Sequence, residues 1–582
     1  MKRILTLLAT LALLGTALAN PYVWSSDWTT AEPGEAVFGG TYRLAEVGDL
    51  RTFNPMVSAE STSATDMIMN PGALLVRQTP DSDDFLPYAA ETVDISEDGM
   101  TIDITIRDGL KWSDGSDITI DDYYTTWLLQ VDPDVGSNGH DSWFLEGNRI
   151  ELEVTGAKSL QMRFPAPDRT ALPVAAMLPT PPVFREVYDA EGADGVKALW
   201  GTDVDLSTTV WSGPFAPVAF EPGERIILER NEYFGSWNVD EAGNELPYLG
   251  GINYTIVTDL DAALNLYLAG EIDAFAPRNL DDIGVINQSV ENGDIDVQIV
   301  EGYSPVDSSQ FIVWNWNLAS NPSKQELFRS TDFRRAMAHL VDREAMIELI
   351  YSGLASPMYT SVYQVLDYWV TDDIEKYDFD PEKALELLAG LGYSKTNADG
   401  ILVNAAGETL SWRLATNAGN TQREDIIQIF GDTAREYGVD VQTEAYDFNL
   451  LVDQLLSVGE DRPFEAILMG LTGGSNVWPF GSNVVPCATN LHMFNTSDAC
   501  ISPFEAELEA LYWKGRKTLD TEEAREIGFE MQRLEADFLP ILYTVSPLAH
   551  ASWSSAVKGH YPEELMNTFK GVSNIETLFK TQ

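Results

Sequence analysis

Residues Thr101-Ile102-Asp103-Ile104-Thr105-Ile106-Arg107 alternate polar and apolar side chains without a break. A period of two predicts a strand with one face on a core and the other in water. Asp98-Gly99 ahead of it is a hairpin turn signal, and Ser113-Asp114-Gly115 marks a further turn after it. Thr119 then offers a helix N-cap, with Asp121 and Asp122 in the first turn and Tyr123, Tyr124, Trp127 and Leu128 beyond. A second β-rich block covers 211–254, opened by Ser212-Gly213-Pro214-Phe215 and containing a strand over 225–230. Residues 260–269 have helical spacing that stops at Gly270.

The C-terminal half changes period. Residues 410–414, 439–444 and 464–469 read as strands, with helices over 421–437 and 448–456 between them. Strands alternating with helices at this spacing predict βαβ crossovers and a mainly parallel sheet. Asp380 caps a helix that begins at Pro381 and ends at Gly390 or Gly392. Asp520 with Glu523 forms a capping box for a helix reaching about Phe538, and Pro540 leads into an apolar strand over 541–545. No repeat of solenoid period and no low-complexity linker interrupts the chain.

The first nineteen residues stand outside this pattern. Met1-Lys2-Arg3 is a basic segment, residues 4–14 are apolar, and Ala17-Leu18-Ala19 is an A-x-A cleavage signal. Residues 1–19 therefore read as a cleaved signal peptide. Asn20 rather than cysteine follows the cleavage point, so no lipid anchor is expected and the product is periplasmic or secreted. Without Lys2 and Arg3, 34 basic residues face 91 acidic ones. Such a surface repels phosphate backbones and anionic lipid, which argues against nucleic-acid and membrane-surface roles. In an exported chain, Cys487 and Cys500 are expected to form a disulfide.

Candidate chemistry is sparse. The chain has no G-x-S-x-G, no P-loop, no dinucleotide fingerprint and no H-E-x-x-H. The five histidines, His140, His339, His492, His550 and His560, lack metal-ligand spacing. Residues 94–99 start like a calcium loop, but the twelfth position is Thr105, which supplies no bidentate carboxylate. No catalytic set, metal site or cofactor is expected, and a secreted hydrolase is the alternative that only the many carboxylates motivate. The 15 Trp and 22 Tyr suit a cleft that stacks on sugar rings or packs around peptide side chains. Trp314-Asn315-Trp316-Asn317 reads as a strand with two indoles on one face and two carboxamides on the other, a candidate cleft or hinge element.

Four blocks in order carry a family resemblance. They are Thr101 through Gly115 followed by Asp121-Asp122; Gly213-Pro214-Phe215 with Glu229-Arg230-Asn231-Glu232-Tyr233-Phe234; Asp332-Phe333-Arg334-Arg335-Ala336 with Asp342-Arg343-Glu344; and Asp380-Pro381-Glu382-Lys383-Ala384 through Gly392-Tyr393. The chain resembles the extracytoplasmic solute-binding proteins that serve ABC importers for dipeptides, oligopeptides and nickel. The resemblance implies an α/β fold of the periplasmic-binding-protein-like type II: two lobes with a hinge and an extra N-terminal β-rich subdomain. It places an N-terminal lobe over 20–300 with the subdomain inserted at about 70–200, a C-terminal lobe over 305–535, and a return to the first lobe over 540–582. It also implies a non-enzymatic, monomeric protein that hands its ligand to permease subunits and their ATPases.

The resemblance further assigns ligand contacts. An N-terminal segment that touches the ligand corresponds to residues 54–61, with Ala59, Glu60 and Ser61 as candidates. The loop leaving strand 464–469 should face it, contributing Leu471, Thr472, Gly473, Ser475, Asn476 and Trp478. Oligopeptide-binding relatives place an aspartate in that loop to pair with the peptide's α-amino group. Here the stretch Gly470-Leu471-Thr472-Gly473-Gly474-Ser475-Asn476 holds no acid. A buried ammonium without its carboxylate is costly. Peptides are the expected ligand, as for most of the family, with oligosaccharides as the alternative that the missing acid and the many Trp favour.

Overall fold

The computed structural model describes residues 20–31, 34–57, 68, 71–82, 84–305, 308–472, 476–566, 572 and 574–581. Its apolar side chains gather into two large cores. One is built from residues between Tyr22 and Tyr254 together with Trp553–Phe579, and the other from residues between Phe311 and Val545. A small third cluster around Tyr267, Phe275 and Ile286 lies between them in sequence.

In the N-terminal lobe, strand Thr41–Val47 pairs in parallel with Gly251–Val257, and Arg225–Arg230 and Phe215–Glu221 extend that sheet antiparallel. A separate antiparallel sheet in the order Ala90–Ile95, Thr101–Ile106, Ser159–Arg163, Glu151–Gly156 forms the extra β-rich subdomain. The period of two is realised there: Ile102, Ile104 and Ile106 are buried while Asp103 faces water. Thr119 and Asp122 form a capping box on helix Ile120–Gln130.

The C-terminal lobe holds a five-stranded sheet in the order Asp440–Tyr446, Ser411–Asn417, Ala466–Met469, Phe311–Trp314, Ile541–Tyr543. Helix Thr421–Glu436 joins the first parallel pair as a crossover. Four strands run one way; Phe311–Trp314 runs against both neighbours. It is reversed because it enters from the other lobe beside the strand by which the chain goes back.

Among the described residues, two segments join the lobes. The chain leaves along Val297–Pro305 into Phe311–Trp314 and returns from Ile541–Tyr543 into Val545–Ser554. Val297–Pro305 and Val545–Ser554 pair antiparallel, and the Thr544 N–H donates to the Gln310 carbonyl at 2.9 Å. The two strands cross side by side, and their register shifts between Val300 and Ser304, an irregularity of the kind found where strands bend. Cys487 and Cys500 are bonded to each other, with Cα atoms 5.1 Å apart. No helix among the described residues is long and apolar enough to cross a membrane.

Candidate functional site

Between the lobes lies a cavity of about 1170 Å³. Its N-terminal wall includes Pro55, Met56, Trp112, Trp200 and Trp211; its C-terminal wall includes Tyr363, Arg423, Phe448, Trp478 and Phe480. The loop after the parallel strand Ala466–Met469 supplies Gly470, Leu471 and Thr472, at the carboxyl end where open α/β sheets present ligand-binding loops. Gly470 must be glycine. A Cβ there would stand 2.3 Å from the Ser309 carbonyl oxygen and 2.7 Å from Nη2 of Arg423.

Aromatic rings dominate the walls. Trp200 and Trp211 have centroids 5.2 Å apart, and Trp478 is boxed by Trp369, Phe480 and Tyr512. The buried indole N–H of Trp478 has no acceptor among the described residues. Ser142, Thr126, Gln130, Asn138, Ser482 and Asn483 line the cavity as well. Although the chain carries 91 acidic residues, no carboxylate lines the cavity among the described residues. Two guanidinium groups do. Arg516 is ion-paired with Asp168 at 2.8 Å, and Arg423 donates to the side-chain oxygens of Gln310 and Asn417.

The wall is held from behind by helix Thr521–Phe538. Glu535 accepts from the Ser361 N–H at 3.0 Å and the Ser361 hydroxyl at 2.9 Å, and Gln532 donates to the Trp369 carbonyl at 2.7 Å. Together these bonds fasten the segment that carries Tyr363, whose hydroxyl donates to the Leu471 carbonyl at 3.0 Å. Burial pushes the Glu535 carboxyl from 4.5 up to about 7, against the Ser361 hydrogen bonds that lower it. A carboxyl raised by folding contributes stability that is fully present below its unfolded value. That contribution fades as pH rises from near 4.5 through about 7. Measured against Glu535→Gln in parallel calorimetric scans, the wild-type protein is therefore expected to lose melting temperature between pH 5 and pH 8.

The predicted site residues divide. Leu471, Thr472 and Trp478 line the cavity. Asn476 does not; its carbonyl accepts from the Trp369 indole at 2.9 Å. Ala59, Glu60, Ser61, Gly473 and Ser475 lie outside the described residues. The structure corrects the reading of 314–317. The strand ends at Trp314, and Trp314, Asn315, Trp316 and Asn317 are all buried in the C-terminal core, away from the cavity. Trp314 packs on Phe333 and Trp412, Trp316 on Phe494, and the Asn315 amide donates to the Phe464 carbonyl. Trp–Asn alternation does not mean in–out here, because both faces of this central strand are covered.

Five cavity residues, Trp112, Trp200, Trp211, Arg423 and Arg516, lie outside the set the sequence points to. Trp112 sits in the first block and Trp211 just ahead of Gly213-Pro214-Phe215, so two of the five lie in or beside the blocks. Nothing in local spacing marks the other three.

Residues 84–485 match the family described as bacterial extracellular solute-binding proteins, family 5 Middle. A probable ABC transporter-binding protein of Deinococcus radiodurans is 38% identical over 591 residues, covering 100% of this chain and 98% of that protein. The oligopeptide-binding protein AppA of Bacillus subtilis is 26% identical, covering 75% of this chain and 74% of the relative. Among solved structures, the periplasmic binding protein MelB of Agrobacterium fabrum C58, in complex with stachyose, superposes with a TM-score of 0.83 at 20% identity. That match covers 96% of this chain and 87% of MelB.

Proposed function

Because the chain belongs to family 5 of the bacterial extracellular solute-binding proteins, we propose that it captures a neutral, polyhydroxylated solute of oligosaccharide class between its lobes. It acts as the binding component of an ABC importer, outside the cytoplasmic membrane, and delivers the solute to permease subunits without turning it over. The lobes that move are residues 20–300 with 540–582, and residues 305–535.

The observation that supports this ligand class is the cavity wall. It is rich in indole and phenyl faces and in hydroxyl and amide groups, with no carboxylate among its described residues. Sugar rings present apolar faces that pack on aromatics and hydroxyls that need neutral donors and acceptors. A peptide brings an ammonium whose desolvation asks for a negative partner. The relative named as a periplasmic alpha-galactoside-binding protein of Rhizobium meliloti is 26% identical over 336 residues, in keeping with a sugar ligand. Peptide binding is the second reading, and the likeness to AppA favours it.

Mass spectrometry of small molecules released by mild denaturation of freshly isolated protein tests the ligand class. Neutral hexose oligomers are expected. Recovery of peptides alone would replace the first reading by the second.

A further inference from the structure

Each lobe inserts an arginine into the other. Arg516, on helix Pro503–Lys517 of the C-terminal lobe, carries its guanidinium across to the N-terminal lobe, with Tyr512 of its own helix beside it. It reaches Asp168 through Nε at 3.1 Å and Nη2 at 2.8 Å, the Phe144 carbonyl at 3.2 Å and the Ser142 carbonyl at 3.2 Å. Arg169, beside Asp168, reaches the opposite way. Its Nε donates to the Val477 carbonyl at 2.6 Å and its Nη1 to the Thr518 carbonyl at 2.7 Å, and its own N–H donates to the Arg516 carbonyl at 3.0 Å. The Arg169 guanidinium lies 5.2 Å from the Trp369 ring centre and 5.9 Å from that of Trp478.

We propose that Asp168, Arg169 and Arg516 form a reciprocal clasp that holds the lobes closed and positions Trp478 as a wall of the solute cavity. The proposal rests on the closure reading above. Among the described residues the lobes join at the hinge strands, so opening returns all three side chains to water, where such pairs contribute little. Closed, the Asp168 and Arg516 side chains are 0% and 1% exposed. A charge buried that deeply is tolerated only with its partner in place, so the clasp forms whole or not at all.

The N-terminal half is held by bonds within its own lobe. The Thr170 N–H and hydroxyl both donate to Oδ1 of Asp168, at 2.8 and 2.7 Å, which aims the carboxylate toward the other lobe. The Arg169 bond to Val477 pins the residue next to Trp478. Closing and building the aromatic wall are thereby one event, and Arg169 is a positioning residue.

The Ser142 and Ser482 hydroxyls face each other across the lobes at 3.3 Å and report closure without any ligand. In full-length protein carrying S142C and S482C, the rate of oxidative cross-linking measures how often the lobes meet. D168N and R516M added to that background are each expected to slow cross-linking at least roughly tenfold, with melting of the uncross-linked protein little changed. R169M, which leaves no buried charge unpaired, is expected to slow it as well and covers the case in which D168N or R516M fails to fold. Cross-linking at the parental rate in all folded variants would overturn the clasp. So would slowing matched by an equal loss of melting temperature, because the pair would then be merely structural. No cross-linking even in the parent would mean that the lobes do not close, and the functional reading would fall before the clasp does.

Discussion

Arg343→Met is expected to destabilise the C-terminal lobe by on the order of 3 kcal/mol or more, about 1 kcal/mol for each buried carbonyl it abandons. Arg343 is 7% exposed and sits at the start of helix Arg343–Tyr351 behind its Asp342 cap. Its guanidinium donates to three backbone carbonyls: Tyr543 at 2.7 Å, Tyr377 at 2.9 Å and Thr544 at 3.1 Å. Two of these belong to the segment by which the chain goes back to the N-terminal lobe. The side chain therefore fastens the hinge from inside, with its pKa lowered by burial to about 10 yet still charged at neutral pH. Methionine keeps much of the volume and none of the donors. Scanning calorimetry should show a lower transition for the C-terminal lobe, and an unchanged thermogram would refute the anchoring role.

Gly515→Ala should separate binding from folding. A Cβ at Gly515 would fall 2.0 Å from Cη2 of Trp478 and 2.6 Å from Cζ2, so the indole must move. Trp369, Phe480 and Tyr512 box the ring on other sides, so relief comes at the expense of the cavity wall. Alanine in place of glycine within helix Pro503–Lys517 gains up to about 1 kcal/mol of helix propensity, against roughly 1–3 kcal/mol for overpacking. Stability should fall by no more than roughly 2 kcal/mol. Affinity should fall by about tenfold or more, the scale of one aromatic stacking contact. Trp478→Ala, by contrast, should lose affinity and roughly 3–5 kcal/mol of stability together, since the side chain is only 3% exposed. Calorimetric titration with the solute recovered from the native protein reads both. Equal affinity in wild type and Gly515→Ala would remove Trp478 from the site.

Much of the fold was legible because its signals are local. The alternation at 101–107, the Thr119 and Asp520 caps and the Pro381 start each depend on neighbours within one turn or one strand, and each appears where its chemistry places it. The site was less legible because it is assembled from two lobes. Trp478 and Trp112 share a cavity, and Asp168 pairs with Arg516, across hundreds of intervening residues, where no period operates. The Trp314–Asn317 reading failed for a related reason. Periodicity tells one face from another only when one of them meets water, and this central strand lies between two buried faces.

Capture by closure is most directly tested by small-angle scattering on the full chain, stripped of bound solute by mild denaturation and refolding, then measured with and without saturating amounts of the solute recovered from it. A ligand that binds the closed state better must shift the population toward it. The radius of gyration should fall on addition of solute. A radius that stays constant while calorimetry shows the solute bound would contradict the account.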